Sequence, residues 1–322
     1  MSSNNSISSI LRKIFVFLKA QINKIEHFNQ MKTSEFKVVF KNDGDAEIIM
    51  PRLNIFEALF FSSDQFDKQS ELFFRPSKEA LLRKVIFNLF ETGYLNKQKS
   101  IIDIGCWLSD NTLPWARILT DGGVVHAVDP SKENLKFGEN IAQLNNISNI
   151  NWVEGVCSDI AGIPLSFKGD IGHAEFSESQ DTSDTIISTT LDEIIDKSNN
   201  KDISLIHIDV EGFELKVLRG ADAIIERCRP TIVFEHFIAK EEISPIADFL
   251  GAKDYKLFMI NEVPYNFSLD CRNFIALDNL RQLPNMLNID HHLGREQGIF
   301  YASLGGPLIS IDEREINSES VG

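Results

Sequence analysis

Apolar side chains in the middle of this chain recur at two different spacings, and the two alternate. Leu82, Val85, Ile86, Leu89 and Phe90 repeat at helical spacing and predict a helix over 79–90. Ser100-Ile101-Ile102-Asp103-Ile104 then forms a short β-rich run. A second run, Val124 to Val128, ends at Asp129-Pro130, and Ser131 is placed to cap a helix carrying Leu135, Ile141 and Leu144. Ile150 to Glu154 predicts a third strand. Residues 155–189 are rich in Ser, Asp and Gly and have no helical period, so they predict a β-hairpin and loop insertion. Alternation resumes with a strand from Ser204 to Ile208 and one helix whose apolar face is Phe213, Val217, Ala221 and Ile225. Pro230 ends that unit; Thr231 to Phe234 is the next strand, Ile243 to Leu250 a helix, and Tyr255 to Ile260 with Asn273 to Leu277 a closing hairpin. Strands alternating with helices in this way build stacked βαβ units, an α/β fold with a mostly parallel sheet and helices on both faces.

The flanks read differently. Residues 1–76 form an N-terminal extension in which 36–40 and 47–50 alternate like strands, 77–280 carry the α/β domain, and 281–322 are a C-terminal extension with a solvated tail. Near the start, Leu11, Ile14, Phe15, Leu18, Ile22 and Ile25 share one helical face, with Arg12, Lys13, Lys19 and Lys24 on the other and no acid before Glu26. That composition suits peripheral membrane or protein contact through residues 1–25, or an accessory helix packed on the domain. No apolar run approaches the roughly 18 residues of a membrane span, and the short one at Ile14 to Leu18 lacks the features of a secretory signal.

Composition narrows the partners. With 32 basic against 47 acidic side chains, a net charge of −15 repels a phosphate backbone, so nucleic acid is not expected as a substrate. Cys106, Cys157, Cys228 and Cys271 form no CxxC pair and have no neighbouring His at ligand spacing, which predicts reduced thiols in a cytoplasmic protein.

In an open parallel sheet, ligands sit beyond the carboxyl ends of the strands. At the first such end Gly105 permits a tight turn and close backbone approach. At the second, Asp129 offers a carboxylate to the hydroxyls of a ribose from a strand end facing the cleft. A nicotinamide enzyme would pair these features with GxGxxG to seat a pyrophosphate, but here Trp107 and Ser109 follow Gly105. An adenosyl cofactor without pyrophosphate fits better.

The third strand end carries Ile208-Asp209-Val210-Glu211-Gly212-Phe213-Glu214-Leu215-Lys216-Val217-Leu218-Arg219-Gly220-Ala221. This run resembles the hallmark segment of FkbM-type methyltransferases, approximately IDVEGxExxVLxGA. In the same order, Asp103 to Thr112 resembles the family's DxGANxGxxT, Ala127 to Pro130 its AxEP, Ser188 to Ile194 its TTLD segment, and Pro230 to Glu235 its PxxxxE strand. The resemblance implies a Rossmann-like class I methyltransferase fold with a mostly parallel seven-stranded sheet. It also implies S-adenosyl-L-methionine as cofactor and O-methylation of a small-molecule acceptor, a sugar or natural product. On that resemblance Asp103, Gly105 and Trp107 line the cofactor loop, Asp129 holds the ribose, and Ser158 and Asp159 lie near the adenine.

Two departures fall in the loop, where Cys106-Trp107 replaces Ala-Asn and Ser109 replaces the second glycine, and His207 stands where the family usually has Lys. The alternative they raise is a degenerate, non-catalytic binding or scaffold protein on the same fold. For proton removal from an alcohol acceptor, Asp209 and Glu211 are the candidate bases, with Glu235 and His236 as a second pair at the next strand end. The spacing of these residues demands no metal.

Overall fold

Three strands in which every residue is buried occupy the middle of the sheet: β4 (Ser100–Ile104), β5 (Val125–Asp129) and β11 (Ile203–Ile208). They can be buried throughout because helices cover both faces, which is the setting of a parallel sheet. The computed structural model describes residues 37–40, 45–49, 59–62, 80–170, 173–178, 185–237, 242–260, 272–282 and 308–310. The basic helix expected within residues 1–25 lies outside them. No described helix is long and apolar enough to cross a membrane.

The main sheet runs β6 (Ile150–Glu154), β5, β4, β11, β12 (Thr231–His236), β14 (Arg272–Asp278), β13 (Tyr255–Ile260) and β15 (Leu308–Ser310). The first five are parallel; β14 is antiparallel to both β12 and β13, and β15 pairs antiparallel with β13. The seven strands predicted by the sequence are all present, and residues 308–310, read as part of a tail, add an eighth at the edge. On one face Leu82, Val85, Ile86 and Leu89 of α1 (Ala80–Glu91) and Trp115 of α2 (Thr112–Ile118) pack on Ile101, Val125, Leu205 and Val233. On the other, Ile102, Ile104, Ile206, Ile208 and Phe234 meet Val217, Leu218, Ile225 and Leu250.

After β5, Ser131 caps α3 (Lys132–Leu144) by accepting from the Asn134 N–H, as its position predicted. The insertion is a separate four-stranded sheet, β7 (Val156–Cys157), β10 (Thr185–Thr189), β8 (Pro164–Asp170) and β9 (His173–Glu178), in which β8 and β9 form the expected hairpin. In the N-terminal extension β1 (Lys37–Phe40), β2 (Asp45–Ile49) and β3 (Leu59–Ser62) make an antiparallel meander, and β3 lies alongside α3.

One element departs from its prediction. The single helix expected across Phe213 to Ile225 is two, α5 (Glu214–Arg219) and α6 (Asp222–Cys228). Val217, Ala221 and Ile225 are all buried, so the apolar spacing located the face correctly but not the break. The break has long-range causes. A side chain on Gly220 would begin 2.1 Å from the Ser158 carbonyl oxygen, and the Gly220 carbonyl accepts from the Asp192 N–H at 3.0 Å. Asp192, on α4 (Leu191–Asp196), then caps α6 from outside, its carboxylate accepting from the Ala223 and Ile224 N–H groups at 3.0 Å each. Removing a cap of this kind costs about 1–2 kcal/mol. Asp192→Ala is therefore expected to lower the melting temperature by about 2–8 °C, with Asp192→Asn recovering most of it, as read by thermal circular dichroism.

Candidate functional site

The crevice between β4 and β11 is where the strand order reverses, and two sequence motifs meet there. Asp209 N–H donates to the Ile104 carbonyl at 2.9 Å, so the two strands stay paired up to the turn. Gly105 has φ +73°, and a side chain on it would begin 1.8 Å from the Asp209 carbonyl oxygen. Only glycine fits both the conformation and the space.

Beyond it, Trp107 (φ 44°) and Ser109 (φ 68°) are also left-handed. These are the positions where the resembled family carries Asn and Gly, residues that adopt this region readily. The loop thus keeps its backbone shape with less suitable side chains, at roughly 1–2 kcal/mol each. Its anchors are visible: Trp107 N–H donates to Asp129 Oδ2 at 2.9 Å, and Ser109 N–H to the Cys106 carbonyl at 2.7 Å. From α1, the buried Arg83 pairs with Asp110 at 2.6 Å and donates to Asn111 at 2.8 Å. Ser109 fits because Gly138 on α3 leaves room, a side chain there beginning 2.2 Å from the Ser109 hydroxyl.

Asp129 is not the open strand-end acid expected. It is 4 % exposed and accepts three internal hydrogen bonds: from Trp107 N–H, from Ser131 N–H at 2.8 Å and from Asn134 Nδ2 at 3.1 Å. Burial lifts its carboxyl to about 6, against the opposing pull of those donors and with a further push from the charge of Asp103. Beside it the buried Asn134 Oδ1 has no hydrogen-bond partner, and neither has the Trp107 indole Nε1, whose ring packs against the cluster of Leu108, Leu113 and Phe137. Buried unpaired groups cost about 1–3 kcal/mol each and in a native fold call for an explanation.

Asp103 is also displaced from its expected role. It is 1 % exposed, with Oδ1 2.8 Å from His207 Nδ1 and Oδ2 accepting from the Thr112 hydroxyl. It therefore ties β4, β11 and the start of α2 together beneath the loop instead of lining the cofactor surface. His207 in turn meets the edge of Trp115, ring centroids 5.1 Å apart. Cys106 is buried beside both acids, and burial with those two charges pushes its thiol well up, so it stays protonated and unreactive.

The carboxylates of Asp209, Glu211 and Glu235 converge, with oxygens all within 4.8 Å of one another, and each is half-buried. Among the described residues they are a group with the hard oxygen donors a divalent cation takes, although the sequence spacing asked for no metal. Glu211 reaches the cluster from a left-handed turn (φ 53°) with Gly212 (φ 101°), whose N–H donates to Glu214 Oε1 at 3.0 Å. His236 does not join them. It is 1 % exposed, lies on the opposite face of β12 from Glu235, and packs edge-on to Phe274 at 6.0 Å between ring centroids. Ser158 is buried, its hydroxyl donating to the half-buried Asp159 carboxylate at 3.0 Å. Arg83, Thr112 and Asn134 were not singled out in the sequence. Asn134 had a faint signal there, a polar side chain in the first turn after Asp129.

Strand order and the loop at this crevice define the class I methyltransferase fold. A family model, the methyltransferase FkbM domain, matches residues 97–257, half the chain, and the protein belongs to that family. Among solved structures, methyltransferase FkbM from Methylobacillus flagellatus is similar at 18% identity over 56% of this chain, with a TM-score of 0.41. The match spans 44% of that protein's length. A SAM-dependent methyltransferase from Aquifex aeolicus is similar at 14% identity, over 66% of this chain and 99% of its own, with a TM-score of 0.40. No curated protein sequence matches.

Proposed function

We propose that this protein binds S-adenosyl-L-methionine in the crevice between β4 and β11 and methylates a hydroxyl of a sugar or other small molecule. The observation that carries the proposal is the convergence of Asp209, Glu211 and Glu235 beside the Gly105 turn, in a chain whose family model is a methyltransferase domain. The residues present suit an adenosyl cofactor. Gly105 lets the β4 and β11 ends meet closely at the crevice, Asp129 retains an acceptor position for ribose, and the buried unpaired carbonyl of Asn134 beside it is a group a nucleoside can satisfy. Ser158 and Asp159 are the residues proposed for the adenine end.

The cofactor supplies an activated methyl group on a sulfonium. The chain's own residues hold the two reactants in line and exclude water, which can contribute roughly 7–11 kcal/mol. An alcohol is a poor nucleophile while protonated, so a carboxylate within hydrogen-bond reach takes its proton as the new bond forms. Asp209 and Glu211 are the residues proposed for that step, with Glu235 adjacent to share the charge. The Trp107 and Ser109 changes, which raised a non-catalytic alternative, leave the loop's left-handed backbone in place, and this favours the catalytic reading.

Glu211→Gln and Asp209→Asn keep size and most hydrogen bonding while deleting a charge. At least one is expected to lower turnover by about 10²–10⁴-fold while binding S-adenosylhomocysteine within a few-fold of wild type by calorimetry. Wild-type turnover in both variants would remove the carboxylate base from the proposal.

A further inference from the structure

We infer that Asn134 is a second ribose-binding residue, its side-chain carbonyl accepting one hydroxyl of the nucleoside while Asp129 accepts the other. This rests on the S-adenosylmethionine reading above. An ionised carboxylate has about four acceptor positions. Three on Asp129 are filled from within the chain, by Ser131 N–H and Asn134 Nδ2 on Oδ1 and by Trp107 N–H on Oδ2. One position remains, and the vicinal diol of a ribose presents two donors. The second donor needs another acceptor at the same place.

Asn134 supplies it. A carboxylate can only accept, so the Asn134 amino group must be the end that faces Asp129, and this fixes the carbonyl as the other end. That carbonyl is shielded from solvent and takes no hydrogen bond in the chain. The residue is held in place, since its backbone N–H donates to the Ser131 hydroxyl at 3.2 Å in the first turn of α3 and its side chain is buried. The unpaired Asn134 carbonyl and the open position on Asp129 together give the two acceptors that a vicinal diol needs.

The test is calorimetric binding of S-adenosylhomocysteine and of its 2′-deoxy and 3′-deoxy analogues to wild type and Asn134→Ala. Wild type is expected to bind each deoxy analogue on the order of tenfold more weakly than the parent. Asn134→Ala should bind the parent on the order of tenfold more weakly, lose nothing further with one of the analogues, and retain the wild-type penalty with the other. Should the alanine variant not fold, Asn134→Ser, which keeps a small polar group but lacks the amide carbonyl, makes the same comparison. Unchanged penalties for both analogues in the folded variant would mean that Asn134 only orients Asp129, and would overturn the inference while leaving the cofactor reading intact. Failure of wild type to bind S-adenosylhomocysteine would overturn both.

Discussion

Gly105→Ala is expected to abolish cofactor binding and to lower the melting temperature by about 10 °C or more, because it forces β4 and β11 apart where they form the crevice. Two effects act together. The backbone at φ +73° disfavours any side chain, and a methyl would begin 1.8 Å from the Asp209 carbonyl oxygen, a backbone atom that cannot rotate away. Gly93 separates them: it has the same φ of +73°, and a methyl there would meet nothing within 4 Å, so Gly93→Ala reports the conformational effect alone. That control should cost about 1–2 kcal/mol and leave binding untouched. Equal melting temperatures for the two variants would show that β4 and β11 do not approach as closely as described.

Asp129→Ala is expected to weaken S-adenosylmethionine binding on the order of 10- to 100-fold, since a charge-assisted hydrogen bond at its one open acceptor position, in a partly desolvated site, is worth about 1.5–3 kcal/mol. It should also destabilise the empty protein. Three donors lose their acceptor, and a buried group left unsatisfied costs about 1–3 kcal/mol. The proton adds a pH signature. The folded chain holds it more tightly than the unfolded chain, whose carboxyl has the ordinary value of 3.8. Stability from this group is therefore fully present below 3.8 and is lost as pH rises through about 6. Binding runs the other way, because ribose hydroxyls donate to the ionised form. Affinity should climb about tenfold between pH 5 and pH 7, and Asp129→Asn should flatten both slopes. Calorimetry and thermal melts at the two pH values check this, and a pH-independent wild type would mean that the carboxylate is not the group being read.

The strands were legible because each is a short apolar run bounded by turn residues, and the position of Asp129 followed from strand order alone. Its surroundings did not. The Trp107 amide reaches it from another strand end, and a sequence lists no such neighbours. The pairing of Asp103 with His207 spans 104 positions and becomes apparent only once β4 and β11 lie side by side. The break between α5 and α6 was hidden for the same reason: Gly220 and Ala221 continue a helical apolar face, and the groups that interrupt it belong to Ser158 and Asp192. The three-residue strand β15 is too short to show a period. Asp209, Glu211 and Glu235 were each visible as strand-end acids, but their convergence depends on the left-handed turn at Glu211, which its residue type does not announce.

The insertion is closed at its neck. Ser158 N–H donates to the Thr189 carbonyl at 2.9 Å, Gly162 N–H to Ser188, and Ser188 N–H to Ile163, so the chain leaves the main domain and returns to it at adjacent points. Gly220 and Asp192 fasten that neck to the helices beneath. Everything distal to it, the β8–β9 hairpin, can lengthen, shorten or change its side chains while the sheet below feels only a slowly growing loop-closure entropy. The hairpin is thus a place where sequence can drift freely while the strand ends that carry Asp129, Asp209 and Glu235 stay as they are.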